Sequence, residues 1–212
     1  MNFDIFLKSL SKIKNLELPG QTSQFKMSPP FRKELLKKYE NKIPFAKKAG
    51  VMALFYPSLQ DQTMIALILR KTYNGVHSAQ IGFPGGKVEA NETLEMAAIR
   101  ETFEEIGVLS HKVEILRAMT EVYIPPSNFY VQPFLGITRS TPNFRKQDEE
   151  VEDIIEVPLM HFLDDEVLIS QSVETSYNVM IKTPAFKLNG HIVWGATAMM
   201  LSEIKDMLNE IL

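Results

Sequence analysis

Apolar residues recur along this chain with two different periods, and the predicted elements follow from where each period holds. Phe3, Phe6, Leu7, Leu10 and Ile13 keep helical spacing, with Lys8, Lys12 and Lys14 between them, and predict an amphipathic helix within residues 1–18. Leu18-Pro19-Gly20 and Ser28-Pro29-Pro30 then punctuate a linker-like stretch, and Phe31 to Tyr39 is a short basic helix candidate. Lys47 to Gly50 reads as a turn. The runs Val51-Met52-Ala53-Leu54-Phe55-Tyr56 and Met64 to Leu69 are continuous, apolar and short, which predicts two buried strands forming a hairpin in a mixed sheet. This divides the chain into a helical extension over residues 1–45 and a domain over residues 46–212.

From Thr93 to Val108 the helical period returns. Ile99, Phe103 and Ile106 predict an apolar face, Glu101, Glu104 and Glu105 crowd another, and Gly107 is placed to end the helix at its C′ position. Lys112 to Thr120, Glu121 to Tyr123 and Phe129 to Ile137 read as strands, with Pro133 marking an irregular or edge position in the last. Thr141 to Glu150 is a polar loop, Ile154 to Val157 a strand, and Met160 to Asp165 a helical turn. Val173 to Ile181 and Phe186 to Val193 read as strands, with Asn189-Gly190 as a hairpin signal. The final helix opens at Trp194-Gly195, and its stripe of Met199, Met200, Ile204, Met207, Leu208 and Ile211 is either core or a dimer seam.

Composition narrows the function classes. A chain of 212 residues can bury a sizeable core, and its net charge of −3 argues against a general nucleic-acid binder. No apolar run approaches the roughly 18 residues that a membrane span needs. The first residues lack the continuous apolar core of a signal peptide and the arginines of a mitochondrial presequence. The absence of cysteine excludes thiolate catalysis and disulfides and fits a reducing compartment, so the expected location is cytoplasmic. The N-terminal helix is expected to pack on the domain or on a partner, and a homodimer is one such arrangement.

The acidic helix carries the chemistry. Glu101 and Glu105 lie one turn apart with Glu104 on the next row, and like charges at that spacing repel. A solvated acidic face is one reading. The other is a set of hard oxygen ligands around Mg²⁺ or Mn²⁺, whose charge removes the repulsion and which suits a phosphorylated substrate. The stretch from Arg70 to Phe83, with Lys71, His77 and Gln80, leads into Pro84-Gly85-Gly86 and has the composition of a phosphate-cradling loop. A plain surface loop is the alternative there.

Gly86, Glu92, Arg100-Glu101, Glu104-Glu105 and Gly107-Val108 match the pattern G-x5-E-x7-R-E-U-x-E-E-x-G-U, and the chain thereby resembles the Nudix hydrolases. Thr102 departs from the pattern at an apolar position, where its Val-like shape can still pack. The resemblance implies an α/β fold in which a mixed sheet lies between helices and the box forms a loop–helix–loop. It implies metal-dependent cleavage of a diphosphate, with Glu101, Glu104 and Glu105 as metal ligands. Glu92 and Gly107 take structural roles, and Arg100 orients neighbouring acids, Glu92 among them. A further glutamate outside the box commonly serves such enzymes as ligand or general base. Glu150 resembles it best, with Glu149 and Glu152 as rivals and Glu105 as the alternative base.

A second resemblance precedes the box. Leu67, Arg70, Phe83, Pro84, Gly85 and Gly86 fit the signature of coenzyme A pyrophosphatases, whereas Ile68, Lys71, Gly75 and Ala79 do not. Gly75 replaces an arginine, and Lys71 and Lys87 are the cations available to fill that gap. The segment around Ser127-Asn128 and the Trp194-Gly195-x-Thr197 start of the last helix resemble the same family. This implies coenzyme A or an acyl-CoA as substrate, with Arg70, His77, Gln80, Phe83, Gly85 and Gly86 in the recognition loop. Tyr123, Phe129 and Tyr130 are either hairpin core or walls of a nucleotide pocket. ADP-ribose, NADH or another dinucleotide, a nucleoside triphosphate, and a non-catalytic nucleotide-binding role are the competing readings.

Overall fold

The computed structural model describes residues 1–71, 80–175 and 179–212. In chain order the elements are α1 (Phe3–Leu10), α2 (Gly20–Lys26), α3 (Arg32–Lys38), β1 (Lys47–Pro57), β2 (Thr63–Arg70), β3 (Ile81–Gly82), β4 (Gly85–Lys87), α4 (Leu94–Ile106), β5 (Glu114–Ala118), β6 (Val122–Ile124), β7 (Phe129–Ile137), β8 (Val151–Pro158), α5 (Leu159–Leu163), β9 (Leu168–Glu174), β10 (Met180–Leu188), β11 (His191–Trp194) and α6 (Gly195–Ile211). Among the described residues, none of the helices is long and apolar enough to cross a membrane.

The chain is organised on β1. Its residues Val51 to Tyr56 are buried on both faces, which is why they read as one apolar run and not as an alternation. Ala53 and Phe55 belong to one core and Met52, Leu54 and Tyr56 to another on the opposite face. Parallel pairing with β7 runs from Lys47↔Phe129 to Phe55↔Ile137, and antiparallel pairing joins β1 to β2 and to the short β4. Next to β2 lies β8, so the mixed sheet follows the order β3-β2-β1-β7-β5 with β4, β6 and β8 attached. A smaller antiparallel sheet has the order β11-β10-β9. Pro133 costs β7 little, because β5 ends at Ala118 and β6 starts at Val122, leaving the ladder broken opposite it.

Helices cover both faces. On one side α6 buries Met199, Met200, Ile204, Met207, Leu208 and Ile211 within the chain, so its stripe is core. Phe3, Phe6 and Leu10 of α1 enter the same core, and the Phe6 and Phe55 rings lie 5.2 Å apart. Residues 20–26, expected to be linker-like, form α2. Gly20 turns the chain at φ 63°, and the helix is fixed by polar contacts with α6, which leave no apolar period to read.

On the other face α4 lies hard against β1. A Cβ on Gly50 would overlap the Leu94 carbonyl, so the helix buries its small residues Ala97, Ala98 and Thr102 together with Ile106. Phe103, expected on the buried face, is 46% exposed, and Ile99 is half-buried. The close approach leaves no space for large side chains there. Thr102 is fully buried and donates its hydroxyl proton to the Ala98 carbonyl at 2.6 Å, which satisfies the one polar atom that separates it from valine. The expected strand over 173–181 is instead the end of β9 and the start of β10, the Thr175 N–H reaching the Val179 carbonyl at 2.9 Å. Asn189 and Gly190, at φ 48° and 84°, form the hairpin between β10 and β11 that their dipeptide predicts.

Candidate active site

The site is built on α4 and on the turn that precedes it. Thr93 caps the helix by accepting the Met96 N–H at 3.1 Å. Gly107 closes it at φ 74° with its N–H on the Phe103 carbonyl at 2.8 Å. Arg100 ties the turn to the helix. Its Nε and Nη2 hold both oxygens of Glu92 at 2.8 and 3.0 Å, and Nη2 also reaches the Lys87 carbonyl at 3.1 Å. Its Nη1 donates to Glu101 at 2.9 Å and to Glu104 at 2.8 Å. Glu92 in turn accepts the Glu89 N–H at 2.9 Å, and the arginine beside it holds its carboxyl below the ordinary range.

Glu101, Glu105 and Glu150 each bring a carboxylate oxygen to within 4.8 Å of the others. Glu104 lies beside them with its side chain half exposed and its oxygen on Arg100. Glu105 is 1% exposed and is held from the sheet side: Gly85 N–H donates to it at 2.7 Å, and Arg70 Nη2 lies 3.3 Å away. Arg70 itself donates to the Gly85 carbonyl at 2.8 Å. Burial pushes Glu105 up to about 7, against the opposing pull of Arg70 and the Gly85 N–H, with Glu101 and Glu150 adding to the rise. Glu101 is also raised, first by burial and then by its acidic neighbours, although Arg100 opposes this.

Two glycines make this packing possible. A Cβ on Gly86 would stand inside the Glu101 carboxylate, and one on Gly85 would meet the Val51 Cα at 2.5 Å. The result is a compact set of hard oxygen donors, repelling one another and partly withheld from water, in a cradle that only glycine leaves open. That donor set fits a divalent cation.

Glu150 reaches the site by backbone connections that a sequence pattern does not display. The Gln147 N–H donates to the Glu105 carbonyl at 3.0 Å, and the Arg145 N–H donates to the Ile106 carbonyl at 3.0 Å, so this segment caps the end of α4. Gln147 Oε1 then accepts the N–H groups of Glu149 and Glu150 at 2.6 and 2.8 Å. From the other side the Lys71 N–H holds the Glu150 carbonyl at 2.8 Å, at the bulge between Leu69 and Arg70 where β2 pairs with β8. Its rivals Glu149 and Glu152 are exposed and stand outside the trio. Sequence reasoning missed Gln147, whose role rests on main-chain partners and carries no charge pattern.

A cavity of about 360 Å³ borders Gly85-Gly86. Arg70, Gln80, Phe83, Gly85 and Gly86 line it, and so does Phe129. His77, Gly75 and Ala79 lie outside the described residues. Tyr123 and Tyr130 pack on one another with centroids 5.9 Å apart, the Tyr123 hydroxyl donates to Asn128 at 2.9 Å, and neither is among the described residues that line this cavity. Pro125 and Pro126 reach the cavity in place of Ser127 and Asn128. Trp194, Gly195 and Thr197 border it at the start of α6, where Thr197 Oγ1 donates to the Ile81 carbonyl at 2.9 Å. Arg32 of α3 lines it as well, a contribution from the N-terminal extension that the sequence reading did not anticipate.

Comparison with known proteins places this geometry. A family model described as the NUDIX domain matches residues 47–174. Nudix hydrolase 3 of Caenorhabditis elegans is 28% identical over 177 residues, covering 76% of this chain and 74% of that protein. The human mitochondrial coenzyme A diphosphatase NUDT8 is 28% identical over 158 residues, 74% of this chain and 63% of its own length. The peroxisomal coenzyme A diphosphatase ndx-8 of Caenorhabditis elegans is 28% identical over 119 residues, so the chain spans about half of that relative (51%). A Nudix hydrolase structure from M. smegmatis, RenU, shares the fold with a TM-score of 0.55 over 79% of this chain and 88% of that one, at 13% identity.

Proposed function

Since the chain belongs to the Nudix hydrolases through the domain at residues 47–174, we propose that it hydrolyses the diphosphate of coenzyme A or an acyl-CoA. The products are 3′,5′-ADP and 4′-phosphopantetheine or its acyl form. The observation that carries the hydrolytic reading is the convergence of Glu101, Glu105 and Glu150 beside Gly85-Gly86, at the edge of a largely apolar cavity. Support for the substrate comes from relatives named coenzyme A diphosphatases and from Arg70, Phe83, Gly85 and Gly86 on the cavity wall.

Glu101, Glu105 and Glu150 would hold the divalent cations that Nudix hydrolases use, and Mg²⁺ or Mn²⁺ suits the donors best. When bound, such ions neutralise charge on the phosphate oxygens and acidify water. The remaining work falls to the chain itself. Arg100 keeps Glu101 and Glu104 oriented through its Nη1, and Glu104 serves the site from its outer edge. Arg70 and the Gly85 N–H fix Glu105. Glu150, the exposed member of the trio, accepts the proton of the attacking water. Water oxygen adds to one phosphorus, the anhydride P–O bond breaks, and each half leaves as a phosphomonoester.

Purified Glu101→Gln and Glu105→Gln are expected to stay folded and to lose CoA hydrolysis by about three orders of magnitude or more with Mg²⁺ present. Turnover near wild type in both would overturn the assignment. Lys71, which departs from the coenzyme A signature, favours a second reading in which ADP-ribose, NADH or another dinucleotide is cut by the same chemistry. A substrate panel with product identification separates the two.

A further inference from the structure

The cavity beside the acidic trio contains a cation that the surrounding protein leaves partly unanswered. Arg32 lines the same cavity as Gly85 and Gly86, and it is only 9% exposed. One terminal nitrogen donates to the Tyr123 carbonyl at 2.6 Å, whereas Nε is buried without a hydrogen-bond partner. Among the described residues, none of the ion pairs includes it. Burial draws its pKa down to about 10, the direction expected of a guanidinium kept from water. A buried charge of this kind calls for a counter-ion, and a planar fork of N–H donors matches a phosphate or carboxylate better than any other partner.

The chain secures the position of this residue from a distance. Glu203 of α6 accepts the Gly20 N–H at 3.3 Å and the Gln24 amide at 3.0 Å, and Ser202 donates to the Ser23 carbonyl at 2.8 Å. These contacts latch α2, and with it the segment that delivers α3 to the cavity. The walls of the same cavity also include Phe83, Pro126, Phe129 and Trp194, which suit a flat base.

We propose that Arg32 receives a phosphomonoester that the substrate carries apart from the diphosphate that is cut. The proposal rests on the diphosphohydrolase reading above. In coenzyme A the group is the 3′-phosphate of the ADP half, which leaves on 3′,5′-ADP.

Calorimetry on the wild-type protein compares 3′,5′-ADP with 5′-AMP. The first is expected to bind about tenfold tighter or more, and Arg32→Gln to erase the difference. In turnover, Arg32→Gln is expected to raise KM for coenzyme A by about tenfold, with kcat nearly unchanged and dephospho-coenzyme A unaffected. Arg32→Lys should recover part of the loss. Equal binding of 3′,5′-ADP and 5′-AMP by the wild type overturns the proposal, and so does an equal loss on both coenzyme A forms in the variant, which is the mark of a structural role. Should the wild type cut neither coenzyme A form but hydrolyse ADP-ribose, the substrate reading alone has failed. ADP-ribose and its 2′-phosphate then become the test pair, and indifference to the extra phosphate, or a preference that Arg32→Gln leaves intact, overturns the role of Arg32.

Discussion

At Gly86 a single added methyl group would take the space that the Glu101 carboxylate now fills. The obstructing atoms are the far end of a flexible side chain, so Gly86→Ala should fold normally and push the carboxylate aside. The expected outcome is a divalent-ion requirement shifted upward by about tenfold or more with little change in thermal midpoint, read from metal titrations of activity. Glu105 makes a prediction of the opposite kind, on stability. Its folded pKa of about 7 lies above the ordinary 4.5, so the folded state binds the proton more tightly than the unfolded chain. Stability from this group is fully present below pH 4.5 and is lost as pH rises through 7, a change of up to about 3 kcal/mol for a carboxyl this buried. Metal-free protein should therefore show falling denaturant midpoints across that window. Glu105→Gln should flatten the slope, and saturating Mg²⁺ should remove it by favouring the ionised form.

At the scale of elements, the end of α4 and the strand β8 are joined through Gln147, whose N–H sits on Glu105 and whose side chain holds the Glu149 and Glu150 N–H groups. Gln147→Ala keeps the backbone contact and removes the side-chain one. The expected effect is a fall in kcat of about tenfold to a hundredfold with KM and midpoint nearly unchanged, because Glu150 loses its orientation and no core contact is lost. This junction also marks the limit of what the sequence displays. The helix, its acidic face and its end at Gly107 were legible because helical spacing and a terminating glycine are local properties, whereas the reading of those acids as metal ligands came from resemblance. Glu150 could be ranked above Glu149 and Glu152 only by resemblance, since its approach depends on β2 pairing with β8 far along the chain. The buried face of α4 departs from its apolar period at Phe103, while Ile106 keeps to it, for a related reason. A hydrophobic period says which residues are apolar, but the close approach at Gly50 decides that Ala98 and Thr102 are buried and Phe103 is not.

For the whole molecule, the question is whether residues 1–45 behave as an appendage or as part of one cooperative unit. Phe3, Phe6 and Leu10 share a core with Phe55 and with the α6 stripe, and Glu203, fully buried, accepts from Gly20, Gln24 and the Thr120 N–H. Glu203→Ala would leave those donors inside the protein without an acceptor, at a cost of about 2–4 kcal/mol. An appendage would respond by loosening alone, with α1 and α2 amides exchanging freely while β1 stays protected. A shared core instead makes the loss global: the urea midpoint falls, the m-value holds, and amides of α1 and β1 exchange with the same reduced free energy. Because α3 follows α2 directly, the same variant discriminates at the level of function. Cooperative coupling keeps Arg32 in the cavity for as long as the protein is folded, so KM for the substrate that the panel identifies should stay near wild type well below the new midpoint, whereas a rise in KM without loss of the sheet would identify a separable arm.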